Sequence, residues 1–581
     1  MLKLSLAQFN PTVGDFENNT LAIIQKMLAA SVAGADMVVF SELSVCGYTA
    51  GDYFLEPEFL QLADAALDEI LTASKDVPAL TTVIGTIRRN TGAGKPLYNA
   101  LLAIQDGNIV AEYYKQLLPT YNVFDERRYF EPGPHAACVA KIAGHDVGFM
   151  ICEDGWRTES DRDYDADPLE YLARAKPELV VSINASPSNV GKREQRHELF
   201  TENSRRHGLP IVYVNQVGGH DQLVFDGASF AVSPSQGVAF EAPSFVDDFT
   251  LIGFEGGEFL TDLKQAEAEA YNAIRKAQGA PRAPLSNSEF YRQQIVLGIR
   301  DYARRCGFKT AVVGSSGGID SALTLALAVE ALGAENVFAI TMPSVYSSEG
   351  SVSDSVALCR NLGIKLYTHP IKSLVESYSD GFGIAFEPAT LVGLSLENLQ
   401  ARIRGTILME FSNTFGALLL TTGNKSEISV GYCTLYGDTS GGLGPIGDLY
   451  KSEVFDLCEH INATAGREII PVSIIVKPPS AELAPGQQDT DSLPPYKGVL
   501  DEILKWHIEG SRLSPAEHAV ASAQVQLMRS TPEANAVVKR VLGMVGRNEY
   551  KRKQAPPIIR VRARAFGSGR QMPIAAKYCF A

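Results

Sequence analysis

The sequence predicts an α/β protein in two halves, the second a doubly wound parallel sheet. Three observations carry that expectation. The stretch Ala311-Val-Val-Gly-Ser-Ser-Gly-Gly-Ile-Asp-Ser-Ala322 reads as the end of a buried strand, a glycine turn and the opening of an apolar helix that runs to Leu332. Strand and helix patterns then alternate: a strand over Asn336–Thr341, a helix over Gly350–Leu362, a strand over Ile364–His369, a helix over Asn398–Phe415 and a strand over Ala417–Thr422. That order makes a parallel sheet with helices on both faces. Near Gly256 the composition changes: Phe259–Ala280 is polar and alanine-rich, and Gly279-Ala-Pro-Arg-Ala-Pro-Leu-Ser-Asn287 is rich in proline. We therefore expect domains at 1–260 and 286–581, joined by a linker at 261–285.

The bulk properties set outer limits. By length alone 581 residues allow about four domains, and two large α/β domains fit equally. Charged residues at 20% and apolar ones at 45% describe an ordinary globular chain. No apolar run reaches the ~20 residues of a membrane span. Met1-Leu-Lys-Leu-Ser-Leu-Ala-Gln-Phe-Asn10 has no signal-peptide core and enters a strand at once. The net charge of −15 argues against nucleic acid as a partner. The eight cysteines are scattered, with no Cys-x-x-Cys pair and no zinc spacing, so reduced thiols in a cytoplasmic protein are expected.

In the first half, Lys3–Phe9 alternates like a strand and Asn18–Ala33 reads as an amphipathic helix. Asp36–Phe40 is a second strand and ends in Ser41-Glu42-Leu43. Val83–Arg88 is a third. Leu101–Ile104 and Ile109–Tyr114 form a hairpin around Asp106-Gly107-Asn108, and Lys115 follows directly. Asp146–Ile151 is a strand ending in Cys152-Glu153-Asp154, and Leu179–Asn184 is a strand ending in Ala185-Ser186-Pro187. A helix over Arg193–Arg206 and strands over Ile211–Asn215 and from Phe230 complete the half. Glu42, Lys115 and Cys152 thus each lie just past an apolar strand, where layered folds place chemistry. Singly they have plain readings: a helix cap, a surface lysine, a small buried filler.

Together, Phe40-Ser-Glu-Leu43, Tyr114-Lys-Gln-Leu-Leu-Pro119 and Ile151-Cys-Glu-Asp154 resemble the Glu–Lys–Cys triad of the nitrilase (carbon–nitrogen hydrolase) superfamily over roughly the first 255 residues. The resemblance implies an αββα sandwich and amide hydrolysis. A thiol nucleophile splits hydrolysis of a poor electrophile into acylation and deacylation. A neighbouring lysine favours the thiolate, and Glu42 can take and return protons. The resemblance also gives Glu126 a supporting role and puts Tyr121, Ser186 and Lys192 at the glutamine-binding positions.

In the second half, a helix over Glu289–Cys306 leads into the glycine turn. Strand, turn and helix N-terminus aim unpaired amides at one spot, which suits an anion. The turn lacks the lysine of a Walker A loop and the spacing of Gly-x-Gly-x-x-Gly. Ser315-Ser316-Gly317-Gly318-Ile319-Asp320-Ser321 resembles the Ser-Gly-Gly-x-Asp-Ser loop of the ATP pyrophosphatases. With Gly423-Asn-Lys-Ser-Glu427, Glu397-Asn-Leu-Gln-Ala-Arg-Ile-Arg404, Tyr436-Gly-Asp438 and Asp448-Leu-Tyr-Lys-Ser-Glu453, it is similar to the NAD⁺ synthetase family over roughly 290–575. A nitrilase half ahead of it is the arrangement of the glutamine-dependent members.

That resemblance implies glutamine, ATP and deamido-NAD⁺ as substrates and glutamate, NAD⁺, AMP and pyrophosphate as products. It assigns ATP to Gly314, Ser315, Ser316, Gly317, Gly318, Ile319, Asp320 and Ser321, with Thr422 at the adenosine. It assigns deamido-NAD⁺ to Asn398, Glu427 and Lys551, and phosphate contact to Lys451. Asp320 and Glu427 face Mg²⁺, since carboxylates beside a triphosphate need a cation between them. The Gly/Pro/Asp segment 477–496 resembles a mobile loop over the site. The basic tail at Arg547–Lys553 and Arg560–Arg564 reads as a phosphate-binding or subunit-contact element, and the chain as a homo-oligomer of two or more. Two other readings stand beside this one: an amidotransferase that aminates a base, and a nucleotide-binding scaffold without activity.

Overall fold

The computed structural model describes residues 1–157, 164–261, 275–276, 283–386 and 390–576. The linker expected at 261–285 lies almost wholly outside them. The chain divides into two compact units, one of Met1–His220 with Val224–Pro284, the other of Leu285–Ala581 with Asp221–Leu223.

The first unit holds two large sheets. One runs Glu258–Leu260, Asp248–Glu255, Leu2–Gln8, Met37–Val39, Thr81–Arg89, Leu97–Gln105, Asn108–Tyr114, and Arg275–Lys276 adds to Asp248–Glu255. The other runs Gly237–Glu241, Phe230–Ser233, Ile211–Asn215, Leu179–Asn184, His145–Ile151, Cys138–Ile142. The sheets share one core. Alternate residues Leu2, Leu4 and Leu6 of the first meet a cluster that includes Val147, Phe149, Val181 and Ile183 of the second. Each such side chain contributes ~1.5–3 kcal/mol on burial. Helices Phe16–Val32 and Pro57–Ser74 pack on the first sheet, and Pro168–Ala175 and Lys192–His207 on the second, giving an αββα sandwich. The hairpin turn is made by Asp106 and Gly107, both at positive φ (49° and 74°), as a two-residue turn between twisted strands requires. The central strands are parallel, Leu2–Gln8 with Met37–Val39 and Thr81–Arg89, and His145–Ile151 with Leu179–Asn184 and Ile211–Asn215. Their C-terminal ends deliver Glu42, Cys152 and Ser186.

The second unit holds a four-stranded parallel sheet in the order Lys365–Thr368, Val337–Thr341, Thr310–Gly314, Ala417–Leu420. Helix Ile319–Leu332 packs on one face, backed by Asn287–Arg305 and Lys451–Ala465. Helix Leu394–Phe415 covers the other, its Ile403, Ile407, Leu408 and Phe411 lying against Val312, Ile340 and Leu419. Helices on both faces make the sheet doubly wound. A further helical cluster, Asp501–Ile508, Pro515–Arg529 and Pro532–Arg547, buries Ile503, Leu504, Val525, Val541 and Leu542.

Candidate active sites

Lys115 is the first residue past Asn108–Tyr114 and is fully buried. Its Nζ lies 2.7 Å from Glu42 Oε1 and 2.8 Å from Glu126 Oε1. Glu42 is held from three sides: Asn99 Nδ2 and Lys115 Nζ donate to Oε1 (both 2.7 Å), and the Ala185 amide donates to Oε2 (2.9 Å). Tyr48 Oη donates to Glu126 Oε1 (2.8 Å). One ammonium therefore serves two carboxylates. Burial opposes the Lys115 charge, but Glu126 and Glu42 outweigh it and hold its pKa well above the ordinary value. Burial pushes Glu126 up to about 7, with Lys115 pulling it down and Glu42 pushing it up.

Cys152 opens the turn Cys152–Gly155 in left-handed backbone (φ 44°) and is 8% exposed. Burial and then Glu42 push its thiol well up, and Lys115 only partly offsets them. Lys115 acts in the expected direction, and burial with Glu42 outweighs it.

Asp154 ties these parts together. Its Oδ1 accepts from the Gln116 and Leu117 amides (3.1 and 2.9 Å), and its Oδ2 from the Ile151 amide and Tyr113 Oη (3.0 and 2.7 Å). The Lys115 strand end is thereby fixed to the Cys152 turn. Burial pushes Asp154 up to about 6. Asp154→Ala is expected to strand four buried donors and cost about 3–5 kcal/mol, read as a lower midpoint in denaturant melts. Tyr121 Oη reaches Glu153 Oε2 at 3.1 Å. Lys192 Nζ sits 3.5 Å from the Trp156 ring centroid and donates to Gln195 Oε1 at 3.1 Å. The Ser186 amide donates to Asn215 Oδ1 (2.9 Å).

In the second unit Gly314 ends its strand, Gly318 caps the helix Ile319–Leu332, and the serines preform the loop. The Ser316 amide donates to Ser321 Oγ (3.3 Å), the Gly318 amide to Ser316 Oγ (3.2 Å), and Ser315 Oγ to Ser355 Oγ (2.9 Å). Among the three glycines the left-handed backbone falls on Gly317 alone (φ 75°). A Cβ there would stand 2.2 Å from the Ser351 carbonyl oxygen. Gly317→Ala should therefore displace the loop, read as a lower midpoint in denaturant melts.

Asp320 Oδ2 lies 2.5 Å from Lys451 Nζ, and Lys451 Nζ donates to Glu427 Oε1 (3.2 Å). Asn424 Nδ2 donates to Asp320 Oδ1 (2.9 Å), and Asn424 with Glu427 forms a capping box on the helix Lys425–Val430. Burial pushes Glu427 up to about 8, with Lys451 opposing and Asp320 adding. Among the described residues no group of three or more His, Cys, Asp or Glu is placed to hold a metal. Thr422 lies half-buried past Ala417–Leu420. Asn398 Oδ1 accepts from Thr434 Oγ1 (2.8 Å), and Lys551 Nζ donates to the Gly431 and Cys433 carbonyls (both 2.7 Å), so both grip one turn. A pocket beside it is lined by Thr421, Gly423, Glu427, Tyr432, Asp438 and Pro556. The segment 477–496 is not structureless. Glu482 Oε1 accepts from Ser348 Oγ and Ser351 Oγ (2.9 and 2.7 Å), and Lys477 Nζ donates to Ser351 Oγ (2.6 Å).

Sequence reading passed over Asn99, Tyr48 and the role of Asp154. Asn99 had a signal, a lone amide in the apolar run Leu97–Ile104. The Tyr48–Glu126 bond spans 78 residues and had none.

The fold and the two clusters define a class, a nitrilase-type unit joined to an α/β unit with a glycine loop. Residues 3–252 match the family model for carbon-nitrogen hydrolase, and residues 291–555 that for NAD synthase. A glutamine-dependent NAD(+) synthetase of Synechocystis sp. is 42% identical over 585 residues, 100% of this chain and 99% of its own. Another from Acinetobacter baylyi is 39% identical, over 98% of each chain. The structure of glutamine-dependent NAD+ synthetase from Acinetobacter baumannii in complex with adenosine diphosphate (ADP) matches with a TM-score of 0.74 at 36% identity, over 99% of this chain and 98% of that one. The chain belongs to the glutamine-dependent NAD(+) synthetase family.

Proposed function

We infer that this chain is a ligase that takes nitrogen from glutamine and makes NAD⁺. Cys152 attacks the glutamine amide carbonyl as Glu42 takes the thiol proton. The proton leaves with ammonia, and Glu42 then draws one from the water that splits the thioester, releasing glutamate. Lys115, buried between Glu42 and Glu126, offsets negative charge as it builds on the substrate oxygen. Tyr121, Ser186 and Lys192 are assigned to hold glutamine.

In the second unit the deamido-NAD⁺ carboxylate attacks the α-phosphorus of ATP and pyrophosphate leaves. Ammonia then attacks the acyl carbon and AMP leaves. The loop Gly314–Ser321 binds the phosphates, helped by Lys451, with Thr422 at the adenosine and Asn398, Glu427 and Lys551 at deamido-NAD⁺. Asp320 and Glu427 fit Mg²⁺. It binds through one or two carboxylates plus phosphate oxygens, and two carboxylates converge here on a single ammonium. When bound, Mg²⁺ supplies charge neutralisation on the phosphates.

The single observation that supports the reading is that Lys115 pairs with Glu42 on a strand end tied through Asp154 to the Cys152 turn, and Lys451 with Asp320 and Glu427, on one chain of this family. ATP–pyrophosphate exchange tests it. Exchange should require deamido-NAD⁺ and ignore XMP, and deamido-NAD⁺ carrying ¹⁸O in its carboxyl group should give labelled AMP. Unlabelled AMP, or ADP as product, contradicts the adenylate.

A cytoplasmic setting is proposed too. ATP as substrate supports it, as do the seven described cysteines, all free thiols. No described helix is long and apolar enough to cross a membrane. A homo-oligomer is supported by helix Lys372–Ala385, which buries no residue, and by Ile384, Phe386, Leu394 and Phe415, which are 60–83% exposed. Ile384→Asp with Leu394→Asp should shift light scattering to a smaller species.

A further inference from the structure

Arg196 is among the largest fully buried side chains of the protein, at 1% exposure. Its Nη2 donates to Asp226 Oδ1 (2.7 Å), while Nε and Nη1 meet no hydrogen-bond partner among the described residues. A buried guanidinium with donors left over is a poor stabiliser, because an unmade bond keeps its full desolvation cost. Its location suggests another use. Arg196 lies on helix Lys192–His207, and the buried stripe Arg196, Phe200, Asn203 runs along one face of that helix. Asn203 Nδ2 donates to the Gly155 carbonyl (2.9 Å). The Phe200 ring stands where a Cβ on Gly155 would be, 2.7 Å away, and Lys192 covers Trp156. The helix is thus built against the turn that carries Cys152.

The charges around the sulfur call for such a group. Glu42, Glu126 and Glu153 push against negative charge on it and Lys115 favours it, and the sulfur's own charge bears in turn on Tyr48 and Tyr213. Lys115 is shared by Glu42 and Glu126, so when both are ionised the cluster is net negative where a further negative charge must form. Arg196 is a buried cation on the helix packed against that turn. Burial opposes its charge, but Asp226, Tyr213 and Cys152 outweigh that and hold its pKa above the ordinary value.

We propose that Arg196 is a positioning residue of the glutaminase reaction, a fixed cation behind the nucleophile turn that lowers the cost of negative charge on Cys152 Sγ. Asp226 anchors it. The proposal rests on Cys152 being the nucleophile. The test is the pH profile of iodoacetamide alkylation at Cys152, followed by mass spectrometry of its peptide in the full-length protein. Asp226→Asn keeps the cation and removes its counter-charge. Adding Arg196→Gln removes the cation as well.

Asp226→Asn should move the profile to lower pH than wild type. The double variant should lie about one unit above Asp226→Asn, and its glutamine-dependent kcat should fall about tenfold, with ammonia-dependent synthesis unchanged. Arg196→Lys should keep the wild-type profile. A merely structural pair would make both substitutions act in the same direction. Coincident profiles for Asp226→Asn and the double variant overturn the proposal. Should the double variant not fold, Asp226→Asn alone decides, and an unmoved profile is the contrary result. Failure of the underlying reading looks different: Cys152→Ala would then retain glutamine-dependent synthesis.

Discussion

Cys152→Ala is expected to abolish glutamine-dependent NAD⁺ synthesis and leave ammonia-dependent synthesis near the wild-type rate. The first effect follows from the chemistry. Without the sulfur there is no thioester, and the Glu42–Lys115 pair alone leaves water to attack an amide directly. Loss of a covalent nucleophile costs roughly 10⁴–10⁶-fold in kcat. The second follows from the division of the chain into two compact units, with Cys152 in one and Asp320 in the other. Little stability should be lost, because the thiol makes a small buried contact and Ala fits its volume closely. Assays with glutamine and with ammonium chloride on one preparation read both effects. Loss of both activities would mean that Cys152 does more than break the amide.

Asp320→Ala should give the complementary pattern, loss of synthesis from either nitrogen source with glutamine hydrolysis retained. Asp320 is the hub of its cluster, 2.5 Å from Lys451 Nζ and accepting from Asn424 Nδ2 at 2.9 Å. Removing it leaves Lys451 to Glu427 alone and frees the Asn424 amide that orders the helix carrying Glu427. The adenylate precedes amination whatever the nitrogen source, so both routes fail together. A drop of at least about 10²–10³ in kcat is expected, the scale for losing one fixed charge at a site of developing charge. Asp320→Asn, which can keep one hydrogen bond without the charge, should be nearly as inactive. Near wild-type NAD⁺ from ammonia in Asp320→Ala would remove Asp320 from the mechanism.

Much of this arrangement was legible in the chain because the central strands of both units are buried on both faces. Leu179–Val181 and Ala311–Val313 read as unbroken apolar runs, and the reactive residues stand at the ends of such strands. The helix Pro57–Ser74 was passed over although Phe59, Ala63, Ala66, Leu67 and Ile70 repeat at helical spacing behind Pro57. The helices starting at Pro515 and Pro532 follow Ser514 and Thr531 caps and were equally readable.

The basic tail was a different case. Arg562 is fully buried and donates to Glu509, Glu453 and Glu517, partners 53, 109 and 45 residues away. Arg560 is buried too, with its carbonyl accepting from Gln294 Nε2. A run of arginines states a charge and not its partner, so local sequence cannot tell an internal strut from a binding surface. The glycine loop made a smaller version of the same point. The pattern shows a glycine turn without saying which glycine it depends on, and of Gly314, Gly317 and Gly318 only Gly317 has a positive φ and a close approach to the Ser351 backbone.

In the reaction inferred above, the amide nitrogen of glutamine becomes the amide nitrogen of NAD⁺ at the expense of an adenylate. Incubating the protein with ¹⁵N-amide glutamine, ATP and deamido-NAD⁺, and weighing the products by mass spectrometry, tests it most directly. The expected products are ¹⁵N-labelled NAD⁺ with one AMP and one pyrophosphate for each molecule formed. NAD⁺ without the label, or ADP and phosphate in place of AMP and pyrophosphate, would contradict it.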